Sequence, residues 1–99
     1  MKGKNKIVYT NIVNINYKSF FNGDNTKDEM AENFKLKILN EFSDMKREDI
    51  ITTFHVSNEA DESLVNKGKY ELSCTKVNFN DETKICSITV ELKIHYPTV

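Results

Sequence analysis

The sequence predicts an α+β fold in which one helix packs on a four-stranded, mostly antiparallel sheet, in the order β-α-β-β-β. Four stretches alternate apolar and polar side chains with the period of two that is typical of strands. One stretch carries apolar side chains at helical spacing behind a capping box. The 99 residues suit one domain, which we expect to span residues 1–99.

The first predicted strand covers residues 6–20, "KIVYTNIVNINYKSF". Its inward parity is apolar except at Asn11 and contains Ile7, Tyr9, Val13, Ile15 and Tyr17. A buried amide needs a hydrogen-bond partner, so Asn11 is a candidate binding residue.

The helix is predicted from Lys27 to about Phe42, after a turn at 21–25. Thr26 and Glu29 match the capping box. The apolar stripe of this helix consists of Met30, Ala31, Phe34, Ile38 and Phe42.

The segment 50–57, "IITTFHVS", alternates and predicts the second strand, with His55 on its polar parity. Residues 58–68 predict a long loop or a short helix, capped by Ser57 or Asn58 and ended by Gly68. We expect the acidic stretch at 58–63 to be exposed. Its carboxylates are then candidate contacts for a basic partner: Glu59, Asp61 and Glu62.

The last two strands, 69–79 and 84–97, form a predicted hairpin around a turn at 80–83. The inward parity of the first changes after Cys74, which predicts a bulge at 75–76. We expect Leu72 to lie opposite Val90 and Val77 to face Cys86. The final strand is then central or nearly so. Cys74 and Cys86 would be diagonal neighbours at about 7–8 Å, beyond the disulfide range of about 4.4–6.8 Å, so both are predicted to be reduced core residues.

One helix of about sixteen residues is roughly 24 Å long and too narrow to cover four strands. Large uncovered apolar surfaces are uncommon on monomers, so we expect a homo-oligomer.

No motif assigns a catalytic, metal or cofactor residue, and we do not expect an enzyme. His55, His95 and Glu91 lie on polar parities and could meet if their strands were adjacent, which makes them candidate binding residues. The glycines are too far apart for a phosphate-binding loop.

The β-α-β-β order with the long final strand "KICSITVELKIHYP" resembles that of dodecins, small flavin-binding oligomers. The chain has no Trp to stack on a flavin and is predicted to have an extra strand, so the flavin function is not carried over.

A net charge of −1 disfavours nucleic acid as the partner. The abundance of Lys, Asn and Ile suggests an AT-rich genome, such as that of a low-GC bacterium or its phage. The start has no apolar segment typical of a signal peptide, and no run is long enough for a membrane helix, so a cytoplasmic location is expected, in a bacterium or an infected cell.

Two functions fit these observations. The first is a small non-catalytic binding protein that acts on a macromolecular partner, such as a phage or mobile-element inhibitor of a host defence system. The second is a self-assembling oligomer that is structural or holds a small ligand between subunits.

Overall fold

The computed structural model describes residues 6–18 and 26–97. The elements are β1 (Lys6–Asn16), α1 (Lys27–Ser43), α2 (Arg47–Thr53), α3 (Glu59–Asn66), β2 (Tyr70–Asn80) and β3 (Ile85–His95). The α+β class is confirmed, but this part of the chain contains three strands and three helices, not four strands and one helix. The turn predicted at 21–25 lies outside the described residues.

The sheet is antiparallel throughout, with the strand order β1-β3-β2. The pairing of β1 with β3 runs without interruption from Lys6 opposite His95 to Asn16 opposite Ile85. The predicted central position of the final strand is therefore confirmed.

The pairing of β2 with β3 contains the predicted bulge, between Cys74 and Lys76. The predicted register is wrong by two residues, since Leu72 lies opposite Leu92 and Val77 lies opposite Ile88. The cause is the connecting turn, which occupies residues 81–84, between the paired Asn80 and Ile85, and not the predicted 80–83. A turn that lies one residue later changes the pairing by two residues. A shift of two residues preserves the face of every side chain, so the predicted inward parity holds.

Both cysteines are free, and they are not diagonal neighbours. Cys74 lies opposite Val90, whereas Cys86 lies opposite Phe79 at the far end of the hairpin. Cys86 is buried and Cys74 is half-buried, on the same inner face of the sheet.

Helix α1 begins with the predicted capping box. The Thr26 hydroxyl oxygen accepts a hydrogen bond from the Glu29 amide at 3.1 Å, and Glu29 Oε1 accepts one from the Thr26 amide at 3.0 Å. These bonds satisfy two amides that a helix start leaves unpaired. The buried stripe is the predicted one except that Ala31 is only half-buried: Met30, Phe34, Ile38 and Phe42.

The predicted strand at 50–57 is wrong, because this segment forms α2 and the turn after it. Ile50 and Phe54 are both buried and lie four residues apart, on one face of a helical turn. The Phe54 ring makes an edge contact with the Phe42 ring, with centroids 5.7 Å apart. This contact joins α2 to the end of α1.

Residues 59–66 form α3, the helical alternative for this segment. The side chain of Asn58 caps it by accepting hydrogen bonds from the amides of Ala60 and Asp61. Gly68 ends the turn that follows with a φ of 79°, a conformation that favours glycine.

The core lies between the helices and the inner face of the sheet. Helix α1 packs on β2, and α3 packs on α2 and β3. The inward residues of β3 are fully buried: Cys86, Ile88, Val90, Leu92 and Ile94. Three helices thus supply the cover that the sequence analysis assigned to one helix and a second subunit.

Deleting Thr75 tests the bulge. Without this extra residue, either the start or the end of β2 must turn its apolar side chains to the outer face. Burying one large apolar side chain stabilises by about 1.5–3 kcal/mol, so we expect the deletion to lower the free energy of unfolding by about 2–4 kcal/mol in urea titrations. Thr75 is exposed. The control Thr75→Ala should therefore change the free energy of unfolding by less than about 0.5 kcal/mol. Equal effects of the two changes would contradict the bulge.

Candidate functional site: the outer face of the sheet

The described helices pack on the inner face of the sheet and leave its outer face open. Every residue on it is exposed or half-buried. At a rise of about 3.3 Å per residue, strands of this length give a surface about 36 Å long. From β1, β3 and β2 in turn, its residues are Lys6, Val8, Thr10, Ile12, Asn14, Asn16; Ile85, Ser87, Thr89, Glu91, Lys93, His95; and Glu71, Ser73, Lys76, Asn78, Asn80.

One end of the outer face is charged. Lys93 lies between Val8 and Glu71 in the register of the three strands. The Nε2 atom of His95 is 2.8 Å from Oε2 of Glu71, and both side chains are about half exposed. This end therefore places a basic and an acidic side chain next to each other.

The opposite end of the outer face is rich in amides. Asn14, Ser87 and Asn78 lie side by side across the three strands. The Ser87 hydroxyl donates a hydrogen bond to Oδ1 of Asn14 at 2.6 Å. Amide side chains both donate and accept hydrogen bonds, so this end can bind polar groups of either kind.

At the β1 edge, the outer face exposes two apolar side chains, one on each side of Thr10. Ile12 is 61% exposed and Val8 is 43% exposed. Ile12 lies beside Thr89 on the central strand. The face therefore joins an exposed apolar patch to a charged and an amide-rich end, the mixture found at non-obligate protein interfaces.

The outer face contains only two of the residues proposed from the sequence, Glu91 and His95. They are four residues apart on β3, about 13 Å along the strand. His55 lies after α2, exposed, with a φ of 56°, and not on a strand. His55 therefore does not meet Glu91 and His95 across adjacent strands.

Asn11 lies on the inner face of β1, opposite Val90, as its parity predicts. It is half-buried. It is therefore the polar member of an otherwise apolar row at the edge of the sheet.

Asp61 is not an exposed loop residue but is buried in α3, with 2% of its surface exposed. Its carboxylate accepts hydrogen bonds from the hydroxyls of Tyr9 on β1 and Tyr96 after β3. Glu59 is exposed and Glu62 is half-buried in the first turn of the same helix. Asp61 precedes the buried Val65 by four residues, a helical spacing that could have revealed its inward position.

The contact with Asp61 changes the ionisation of both tyrosines. The hydrogen bond to the carboxylate, together with burial, raises the pKa of Tyr9 from 10.0 to about 12. The same two causes raise the pKa of Tyr96. Tyr17 donates a hydrogen bond to Asp81 at 2.7 Å, and this bond raises its pKa to about 12.

The open clefts in the described part of the chain include two that reach the outer face, at Glu71 and at His95. One of about 430 Å³ lies between the end of α1 and the start of β2, beside Leu39, Arg47 and Tyr70. The other, of about 290 Å³, lies at the end of β3, beside Leu64 and Pro97. Across residues 6–18 and 26–97, no three His, Cys, Asp or Glu side chains are grouped so that they could hold a metal ion.

Sequence reasoning missed several members of the outer face, including Val8, Ile12, Thr89 and Lys93. The sequence pattern that could have revealed them is the set of alternate residues that point outward on β1 and β3, which pair along their whole length. The strand order was needed to convert that parity into one surface.

No protein-family model matches the sequence, and searches of curated proteins and of solved structures returned no match. None of the helices in the described ranges is long and apolar enough to span a membrane.

Replacing Asp61 tests its role in holding α3 on the sheet. We expect Asp61→Ala to lower the free energy of unfolding by about 1.5–3 kcal/mol, the usual contribution of hydrogen bonds to a charged group. The same change in the Tyr9→Phe, Tyr96→Phe double variant should cost clearly less. Equal costs in the two backgrounds, measured by urea denaturation, would show that the tyrosine contacts do not stabilise the fold.

Alkaline pH gives a second test of the same contact. The folded-state pKa of Tyr9 is raised, so its contribution to stability is complete below pH 10 and is lost as the pH rises from 10 to about 12. We expect the free energy of unfolding to fall across this window, and to fall less in Tyr9→Phe. Urea titrations at a series of pH values measure both slopes, and parallel slopes would contradict the prediction.

Proposed function

We propose that this chain is a small non-catalytic binding protein that recognises a macromolecular partner through the outer face of its sheet. The observation that carries the proposal is the composition of that face. It is long, open, and combines exposed Ile12 and Val8 with a charged end and an amide-rich end.

The chemistry of the outer face favours a protein partner over a nucleic acid. The lysines Lys6, Lys76 and Lys93 are interspersed with Glu71 and Glu91, so the face lacks the single positive sign that phosphate binding favours. It also presents no Tyr or Phe on which a base could stack. A protein surface with apolar and mixed polar groups is the better complement.

The composition of the chain suggests its origin, and the type of partner is a proposal made from that origin. A short chain rich in Lys, Asn and Ile fits a low-GC bacterium or its phage. We therefore extend the proposal to an accessory protein of a phage or mobile element, one that inhibits a host defence protein by occupying its surface.

The alternative function is a self-assembling oligomer that is structural or holds a small ligand between its subunits. One observation favours it specifically. The β1 strand forms an edge of the sheet, and its exposed side chains include Ile7, Val8 and Ile12.

A charge placed at the centre of the outer face tests the proposed function. Thr89 is half-buried on the central strand, between Ile12 and Lys76. We expect immobilised wild-type protein to retain a specific protein from a low-GC host lysate, and Thr89→Glu to lose it, because a carboxylate there must be desolvated on binding.

The matched control is Glu41→Lys, which changes a charge on an exposed position of α1. It should retain the same protein as wild type, with both variants showing wild-type thermal unfolding. If Thr89→Glu retains the same proteins as wild type, the outer face is not the binding surface.

A further inference from the structure

The edge strand β1 lacks the features that keep sheet edges from pairing. Its residues 7–16, and Tyr17 after them, read "IVYTNIVNINY" and contain no charge and no proline. Edge strands are commonly protected by charged side chains, proline, bulges or short length. The strand is eleven residues long, and its pairing with β3 has no register shift.

The direction of the free backbone groups of β1 follows from two hydrogen bonds. The amide of Tyr17 donates to the carbonyl of Lys84 at 2.9 Å, so odd-numbered residues of β1 point their amides and carbonyls at β3. The amide of His95 donates to the carbonyl of Lys69, which gives the same alternation from the other side of β3. The even-numbered residues of β1 therefore direct their backbone groups at the open edge: Lys6, Val8, Thr10, Ile12, Asn14 and Asn16.

Apolar side chains flank this open edge on both faces of the sheet. Ile7 is 38% exposed on the inner face, while Val8 and Ile12 are exposed on the outer face. A strand that paired with this edge would cover apolar surface on both sides as well as the free backbone groups.

We propose that β1 pairs antiparallel with β1 of a second copy, giving a two-fold dimer with a continuous six-stranded sheet. This inference does not depend on partner binding through the outer face, since it uses the edge of the sheet. It specifies the self-assembly that is the alternative function by giving the strand, the symmetry and the register of the contact.

The backbone directions restrict the register of this pairing. Hydrogen-bonded pairs across the dimer must join even-numbered residues. The register that overlaps the whole strand places Lys6 of one copy opposite Asn16 of the other, and Thr10 opposite Ile12. Asn11 then lies on the two-fold axis, opposite Asn11 of the second copy.

Three features of this register identify a second copy as the occupant. Because Lys6 is the only charged residue in β1, no like charges face each other. On the inner face, Ile7 meets Ile15 of the second copy, and Tyr9 meets Val13, so apolar rows continue across the axis. The two Asn11 amides can donate to and accept from each other, which gives the polar member of the inner row a partner.

A cysteine at the axis tests both the dimer and its register. Residues opposite each other in a non-hydrogen-bonded pair have Cα atoms about 4.5 Å apart, within the disulfide range of about 4.4–6.8 Å. We expect Asn11→Cys to form a covalent dimer under mild oxidation. In the control Val13→Cys, the two new thiols would be four residues apart along the strands, about 13 Å, and should not cross-link. Wild type measures the background from Cys74 and Cys86.

A proline at the open edge provides the second test. The amide of Thr10 points away from β3, so Thr10→Pro removes a donor from the dimer and none from the subunit. Light scattering should give twice the chain mass of 11.5 kDa for wild type and for the control Thr10→Val, and a single chain mass for Thr10→Pro. The near-ultraviolet circular dichroism of the tyrosines checks that each variant is folded.

A wild-type monomer across the accessible concentrations would overturn the inference. A dimer that persists in folded Thr10→Pro, or one in which Val13→Cys cross-links and Asn11→Cys does not, would equally overturn it. The lysate experiment with Thr89→Glu is read separately, so loss of the dimer and loss of partner binding are distinguishable.

Discussion

The fold depends on one constraint, the burial of every second residue of β3. Cys86, Ile88, Val90, Leu92 and Ile94 are fully buried, and strands pair with β3 along both of its edges. A side chain can reach this inner row only from the correct parity, so each neighbour must match it. β1 matches it throughout, whereas β2 requires the bulge after Cys74 to bring Val77 and Phe79 back to the inner face.

A second, polar constraint fixes α3 on the sheet. Burying a carboxylate is costly unless hydrogen bonds compensate it. The Asp61 carboxylate accepts hydrogen bonds from the hydroxyls of Tyr9, on β1, and Tyr96, the residue after β3. These bonds have directions, so they orient α3 where apolar contacts alone would permit it to slide. Asp61 thus contributes specificity of arrangement in addition to stability.

The sequence predicted the features that rest on local chemistry. The capping box at Thr26, the stripe of α1, the bulge and the inward parity of β3 each have a physical cause within a few residues. The strand at 50–57 was wrong because β-branched pairs such as Ile50–Ile51 favour strands, while the spacing of Ile50 and Phe54 fits a helix equally well. Eight residues are too few for side-chain periodicity to distinguish a strand from a helix. The helical structure depends on packing against α1 and α3. The outer face was not predictable as a site, because its members come from strands whose order only the tertiary structure fixes.

The proposed dimer and the proposed binding face have a geometric relation. With Lys6 opposite Asn16 of the second copy, the charged end of one outer face adjoins the amide-rich end of the other. The exposed Ile12 side chains of both copies then lie beside the axis, each diagonal to Val8 of the other copy. Six strands at about 4.8 Å spacing would double the width of the outer face. Dimerisation through β1 would therefore give a surface with an apolar centre and a polar rim, the distribution that stable protein interfaces favour. A partner that covers this centre would contact both subunits, so its binding would also strengthen the dimer.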